Sequence, residues 1–278
     1  MNDARVVLVT GASSGIGRAS AVCLAQSGCR VFGIARTAPP AHDGSFVFLP
    51  VDVRDDSSVR ECVSRVLREA ARIDVLVNCA GVIVAGPAEE MLADEIMDQV
   101  QTNLLGTMRM CQAVLPAMRQ QRGGRIITVG SLAGLMGLPF QSAYSASKFG
   151  IEGYSESLQM EVQDFGIRVV VVDPGDIATE ITLHRKETRG SRSGSPYRQN
   201  FAGAMRSQAA SEQHGWKVER LARFIERIVR SRWPRFRYTP GPLVERISPV
   251  ARRLIPGRLY LKILARFNGV RKNIRPPG

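Results

Sequence analysis

Residues 5–17 read RVVLVTGASSGIG, and the change of character at Thr10 decides the fold. Arg5–Thr10 is a short, apolar, β-branched run, the kind that forms a strand buried on both faces of a parallel sheet. It leads straight into Thr10-Gly11-Ala12-Ser13-Ser14-Gly15-Ile16-Gly17, and a helical pattern follows to Ser27. Glycines in such a turn let the backbone bend sharply and lie close to a phosphate, which then faces the first N–H groups of the helix. The spacing is G-x-x-x-G-x-G, and strand–turn–helix is the context that a dinucleotide-binding turn requires.

The same rhythm continues outward. Gly28 stops the first helix and Arg30–Ala35 forms a second strand; Gly123-Gly124 precedes the strand Arg125–Val129, and Gly166 precedes Ile167–Val172. Further strands are expected at Phe46–Leu49, Ile73–Val77 and Phe236–Thr239, with helices over 55–71, 94–118 and 143–164. The pattern predicts an α/β fold. It is a single domain over residues 1–278, with a doubly wound (Rossmann) parallel sheet of about seven strands and helices on both faces. Ligands of such sheets bind at the carboxyl ends of the strands.

Candidate cofactor contacts follow from that edge. An acid after the second strand would hold the ribose 2′-hydroxyl of NAD, and a base there accommodates the 2′-phosphate of NADP. This chain has Ala35-Arg36-Thr37 and no acid before Asp43, which points to NADP(H). Asp52, followed by Val53, either reaches the adenine edge or starts the next helix. Asn78-Cys79-Ala80-Gly81 is a small-residue turn at a strand exit. Asn103 sits mid-helix in Asn103-Leu104-Leu105-Gly106, where propensity disfavours it, so a polar role is expected.

The chemistry is carried by Ser131–Lys148, SLAGLMGLPFQSAYSASK. Tyr144 and Lys148 are one helical turn apart on one face. A phenol ordinarily titrates near pH ~10 and exchanges protons poorly at neutral pH, and an ammonium nearby lowers that value. Such a tyrosine can pass a proton to or from an alcohol or carbonyl oxygen that Ser131 holds by a hydrogen bond.

With these residues assembled, the chain resembles the short-chain dehydrogenase/reductases, in their Rossmann-fold branch with the Y-x-x-x-K site. The likeness covers residues 5 to about 180. The resemblance implies Tyr144 as catalytic acid/base, Ser131 orienting the carbonyl, and Lys148 lowering the tyrosine pKa and binding the nicotinamide ribose. It implies that Asn103 anchors a water relaying protons to Lys148. The cofactor set it implies is Gly11, Ser13, Ser14, Gly15, Ile16, Gly17, Arg36, Asp52, Val53, Asn78, Ala80, Gly81, Tyr144, Lys148, Pro174, Gly175, Ile177 and Thr179. Cys79 departs from the family, which often has a second Asn there. Within the family the chain looks most like hydroxysteroid- and retinol-dehydrogenase-like members. The implied reaction is reversible hydride transfer between NADP(H) and a secondary alcohol or ketone, with a bulky steroid-, retinoid- or lipid-like substrate. A 3-oxoacyl-thioester reductase and a non-catalytic dinucleotide-binding regulator are the alternatives. Family members pair the helices at 94–118 and 143–164, which implies a homodimer or homotetramer.

Composition bounds the rest. Five scattered cysteines without a C-x-x-C pattern fit reduced thiols, and three distant histidines give no metal site. No run of eighteen apolar residues appears and a strand begins almost at once, so a cytoplasmic protein is expected. The net charge of +13 lies at one end: residues 217–278 hold seventeen Lys and Arg against three Glu, and residues 1–216 twenty-one against twenty-two acids. No nucleic-acid motif or aromatic platform accompanies those arginines, which argues against nucleic acid. The pocket-lining candidates lean apolar: Leu135, Met136, Leu138, Pro139, Phe140 and 181–183. Residues 184–215, polar and rich in Arg, Ser and Gly, read as a substrate flap or a surface insertion. In the tail 240–278, Leu259, Ile263, Leu264 and Phe267 are expected to close over the pocket. Arg258, Lys262 and Arg266 form a basic stripe open to peripheral membrane contact.

Overall fold

A computed structural model describes residues 4–38, 44–178, 185–192, 194–242, 247, 249, 251–252 and 254–270. The expected contacts of Thr179 and of 181–183 lie outside these residues, as does the tail beyond 270.

The strands are β1 (Val6–Thr10), β2 (Arg30–Ala35), β3 (Val47–Pro50), β4 (Val75–Asn78), β5 (Val84–Ala85), β6 (Gly124–Val129), β7 (Ile167–Val172), β8 (Ile177–Ala178), β9 (Lys186–Glu187), β10 (Trp216–Lys217) and β11 (Arg237–Tyr238). Seven form one sheet in the order β11-β7-β6-β4-β1-β2-β3, every pairing parallel. Strand order reverses between β1 and β4, the crevice where doubly wound sheets take ligands. β1 is buried along its whole length, as a strand covered by helices on both faces must be.

The helices are α1 (Gly15–Gln26), α2 (Asp56–Ala70), α3 (Ala93–Gln99), α4 (Gly106–Gln120), α5 (Ser142–Val162), α6 (Arg198–Gln213), α7 (Val218–Arg230) and α8 (Gly257–Phe267). One face of the sheet packs with α2, α4 and α5 through Val59, Val63, Met110, Val114 and Leu158. The other packs with α1 and α7 through Ala21, Leu24, Leu221, Ile225 and Ile228. The apolar repeat from Val218 to Val229 is therefore core.

Three boundaries differ from the sequence reading. The expected helix 94–118 is interrupted by a π-helical stretch, Val100–Leu105, and α4 continues past Pro116 to Gln120. The bulge is where Asn103 sits, which answers its poor propensity: one widened turn turns its side chain inward and fully buries it. Gly123 does not close α4; Arg122 takes the left-handed conformation at φ 54°. The segment at 184–215 is built rather than loop-like, holding β9 and the sixteen-residue α6.

Candidate active site

The glycine turn and the start of α1 form a cradle for an anion. Ser14 is extended, its hydroxyl caps nothing, and the first turn of α1 carries no acid, so the leading N–H groups face outward without a side-chain partner. Gly15 stands at φ +51° with open space where a Cβ would be, whereas a Cβ on Gly17 would lie 2.3 Å from the Gly11 carbonyl oxygen. The first glycine leaves room above the turn and the second lets the helix close on it. Thr10 Oγ1 accepts hydrogen bonds from the N–H groups of Cys79 and Ala80, both at 2.9 Å, and so joins this turn to the Asn78–Gly81 turn. The sequence reading missed this role of Thr10; a hydroxyl at the last residue of a strand facing a neighbouring turn was the available signal. These residues fit the pyrophosphate of a dinucleotide.

Four further candidates, Asp52, Arg36, Val53 and Asn78, resolve differently. Asp55, not Asp52, caps α2, accepting from the N–H groups of Ser57 at 2.8 Å and Ser58 at 3.4 Å. The Asp52 carboxylate is held by Arg54 at 2.7–3.1 Å, and that hydrogen bonding, with a contribution from Arg36, keeps its pKa low. Arg36 is exposed at the end of β2, near that carboxylate. Val53 packs its side chain into the core, which leaves only its backbone for a ligand. Asn78 is buried and directs Nδ2 to Cys111 Sγ at 3.5 Å, into the helix layer; its Oδ1 has no partner among the described residues.

The four candidate catalytic residues come together from three elements. Ser131, at the end of β6, receives its position from Asp173, whose Oδ1 accepts the Ser131 N–H at 3.1 Å; its hydroxyl bonds to Tyr144. Lys148 is buried and donates from Nζ to the Val129 carbonyl at 2.8 Å, with the ammonium 5.7 Å from the Tyr144 ring centroid. Asn103 is held at both ends of its amide: Oδ1 accepts from the Val82 N–H at 2.8 Å, and Nδ2 donates to the Val82 carbonyl and to Ser147 Oγ. Ser147 in turn donates to the Tyr144 carbonyl at 2.7 Å, so the Asn103 side chain clamps the tyrosine's helix to the loop at Val82.

The electrostatics depart from expectation. Burial pushes the Tyr144 pKa up, and Asp173 and Glu212 add to that against the Ser131 hydrogen bond and Arg185. Burial brings Lys148 down to about 8, so it is still charged at neutral pH. Desolvation outweighs the lysine because the ammonium points to Val129 rather than to the phenol. Burial thus reinforces the neutral phenol, the form any tyrosine takes at neutral pH. Cys79 faces the same space, with burial pushing its thiol up to about 12.

Ser131, Tyr144 and Lys148 stand on the wall of a cavity of about 450 Å³ that also touches Ile16, Gly81, Pro174, Gly175 and Ile177. Its apolar side is Leu132, Met136, Leu138, Ile255, Ile263 and Phe267. In α8, Tyr260 and Leu264 pack on Leu132 and Met136, with the Tyr260 hydroxyl 3.4 Å from Met136 Sδ. Of the tail residues expected over the pocket, Ile263, Leu264 and Phe267 line the cavity and Leu259 does not; Tyr260 was missed, and Leu259, Ile263 and Phe267 remain 50%, 50% and 65% exposed. Arg258, Lys262 and Arg266 are exposed beside them. Among the described residues no group of three His, Cys, Asp or Glu could hold a metal, and no helix is long and apolar enough to cross a membrane.

Comparison with known proteins agrees with this geometry. The family model for short chain dehydrogenase matches residues 5–190. The chain is 38% identical to a 3-ketodihydrosphingosine reductase of Bacteroides thetaiotaomicron, over 96% of this chain and 99% of that one. It is 34% identical to rat estradiol 17-beta-dehydrogenase 1, over 90% and 76%, and 40% identical to a 3-oxoacyl-[acyl-carrier-protein] reductase of Escherichia coli, over 65% and 76%. Among solved structures, a short-chain dehydrogenase from Streptomyces avermitilis superposes with a TM-score of 0.76 at 30% identity, over 94% of this chain and 98% of that one.

Proposed function

Because the chain belongs to the short-chain dehydrogenase/reductase family, we propose that it is an NADPH-dependent reductase of long-chain, lipid-like ketones. The observation that carries this reading is the joining of Ser131, Tyr144 and Lys148 to a largely apolar cavity of about 450 Å³, within the range of small-molecule sites. The relative named for a ketone on a long hydrocarbon chain supports the lipid class, and the estradiol dehydrogenase supports the steroid variant of it. A non-catalytic regulator has no use for the tyrosine, lysine and serine gathered here. The second reading, a 3-oxoacyl-thioester reductase, has the acyl-carrier-protein reductase in its favour. A panel of long-chain ketones, steroids and 3-oxoacyl thioesters, read by NADPH oxidation, tests the choice; turnover of thioesters alone would overturn the ketone reading.

A nicotinamide dinucleotide held through its pyrophosphate at the Gly11–Gly17 turn would supply the hydride chemistry when bound. The chain's own part is to place and protonate the oxygen. Ser131 donates a hydrogen bond to the carbonyl oxygen, its N–H being fixed by Asp173. Tyr144, kept protonated by burial, gives its proton to that oxygen as negative charge develops there. Lys148, charged at neutral pH, stabilises the phenolate left behind and holds the ribose hydroxyls. Asn103 and Ser147 keep the helix of Tyr144 in register.

Arg36 supports NADPH over NADH through a charge-assisted contact to the 2′-phosphate. Arg36→Ala should weaken NADPH binding by about ten- to hundredfold and leave NADH binding nearly unchanged. A wild-type preference for NADH in fluorescence titration would sink this assignment.

Two surface features are read together. Ile96, Met97, Phe149 and Met160, on α3 and α5, expose 38%, 55%, 37% and 67% of their area, which supports a homodimer or homotetramer built on those helices. The half-exposed apolar residues of α8, ringed by Arg258, Lys262 and Arg266, support a lid whose outer side meets an anionic lipid surface. The expected outcome is an oligomer by light scattering that co-sediments with anionic vesicles in low salt and releases in high salt. A monomer, or binding indifferent to lipid charge and salt, would remove the respective claim.

A further inference from the structure

Tyr144 and Lys148 begin a longer stripe. Glu152 and Glu156 follow at the same four-residue step on α5, so four polar side chains run along one helical face. Glu152 is buried and the Glu156 side chain is 56% exposed, so the stripe starts at the cavity and ends in water. Beside it lies Asp173, wholly buried on the exit from β7. Its Oδ1 accepts the Ser131 N–H, and a Cβ on Gly130 would stand 2.0 Å from that oxygen. Gly130 alone separates this contact from the Val129 carbonyl that takes the Lys148 ammonium. Asp173 and Glu152 both act on the charge of Lys148.

Ion pairing leaves two oxygens over. Arg237 donates to Glu152 Oε2 and to Glu156 Oε1, both at 3.0 Å, and its Nε lies 3.6 Å from Asp173 Oδ2. Asp173 Oδ2 and Glu152 Oε1 are buried with no hydrogen-bond donor among the described residues. Yet the two side chains bond to each other, which two carboxyls do only with a proton between them. The titratable and charged groups facing this pair are Tyr144, Lys148 and Glu156 from α5, Arg237 from β11, and Cys79 beyond Lys148. Asn103, expected to relay protons to Lys148, has its amide engaged by Val82 and Ser147, and its carbonyl accepts the Thr107 hydroxyl at 2.8 Å.

We propose that Asp173 and Glu152 hold one proton between them and return it through Lys148 to Tyr144 after each turnover, with Glu156 as the entry from solvent. Carbonyl reduction adds a hydride at carbon and a proton at oxygen, and Tyr144 gives that proton. The Lys148 ammonium reprotonates the phenolate and becomes an amine. The shared proton moves to the amine, leaving two carboxylates beside the restored ammonium and Arg237. A solvent proton taken up at Glu156 restores the pair, so one proton enters for each carbonyl reduced. Neither Asp173 nor Glu152 lines the cavity, and both act through Lys148 as positioning residues. The proposal rests on the reductase reading above.

Asp173→Asn tests it, because asparagine copies the protonated acid. It keeps an acceptor for the Ser131 N–H and a donor for Glu152, and has no proton to give. Infrared difference spectra of wild type against this variant, taken without cofactor at neutral pH, are expected to show the carbonyl stretch of a protonated carboxyl. Its absence would overturn the shared proton. In stopped flow with NADPH and a long-chain ketone, Asp173→Asn is expected to keep the first turnover, for which Tyr144 already carries its proton. Later turnovers, and proton uptake followed with an indicator dye, should slow by about tenfold or more. Glu152→Gln should act in the same sense. Undiminished steady-state turnover in Asp173→Asn would overturn the return path. So would an equal loss in first and later turnovers, the mark of a purely structural role. Unchanged proton uptake in Glu156→Gln would remove Glu156 from the path. A wild type with the carboxyl band but no ketone reduction would remove the proposed function and the return path with it, and leave the shared proton standing.

Discussion

Tyr144→Phe is expected to lower kcat for NADPH-dependent ketone reduction by about 10²–10⁴-fold while leaving the NADPH Kd within about twofold. The substitution deletes one oxygen, the one that bonds to Ser131, and keeps the ring in its place over Lys148. The cradle at Gly11–Gly17 is built from backbone and does not involve the phenol, so cofactor binding is separable from proton transfer. The pH profile carries a second signature. Lys148 titrates at about 8, so reduction should hold through neutral pH and decline as the pH rises past that value and the lysine loses its charge. Stopped-flow NADPH oxidation for kcat and fluorescence quenching for Kd check both. Undiminished turnover in the phenylalanine variant would end the mechanism.

The second large effect is on stability. Arg237→Leu should destabilise the fold by about 3–5 kcal/mol near pH 8, and by much less near pH 5. Arg237, on β11, donates to Glu152 Oε2 at 3.0 Å and to Glu156 Oε1 at 3.0 Å, and its Nε lies 3.6 Å from Asp173 Oδ2. Asp173 is wholly buried and Glu152 nearly so. Burial and the neighbouring Glu152 carry the Asp173 pKa up to about 9. An aspartate raised above its unfolded value of about 3.9 favours folding fully only below that value. Its contribution is lost as the pH rises towards 9, and Arg237 is the cation that limits the loss. Without it, Asp173 and Glu152 face each other with no arginine between them, and the cost grows with pH as Asp173 gives up its proton. Urea midpoints at pH 5, 7 and 8 measure this, and Asp173→Asn in the same background should flatten the dependence. A loss independent of pH would show that Arg237 acts by packing alone. Because Asp173 also fixes the Ser131 N–H, the arginine variant should lose activity beyond what its stability accounts for.

Much of the site was legible because its residues act through local geometry. The Tyr144–Lys148 spacing places two side chains on one helical face whatever surrounds them, and the run from Val6 to Gly17 codes strand, turn and helix in adjacent residues. Misreadings arose where a side chain had more than one partner in reach. Asp52 and Asp55 are both plausible helix starters in sequence, and only the fold shows that Arg54 occupies the first while the second caps α2. Asn103 was marked as polar in purpose by its poor helix propensity, yet its clamp to Val82 and Ser147 depends on residues 21 and 44 positions away.

The sequence by itself therefore determined the sheet, its helical cover, the glycine turn and the one-face placement of Tyr144 and Lys148, since periodicity and short-range spacing encode all of them. The tertiary structure alone decided the electrostatic state and the shape of the cavity. The Tyr144 pKa is raised because the fold buries the phenol and brings Asp173 and Glu212 near. Tyr260 and Leu264 are the residues of α8 buried with Leu132 and Met136 because of the helix's rotation about its axis. Burial and desolvation are sums over groups distant in the chain, and no local pattern of residues contains them.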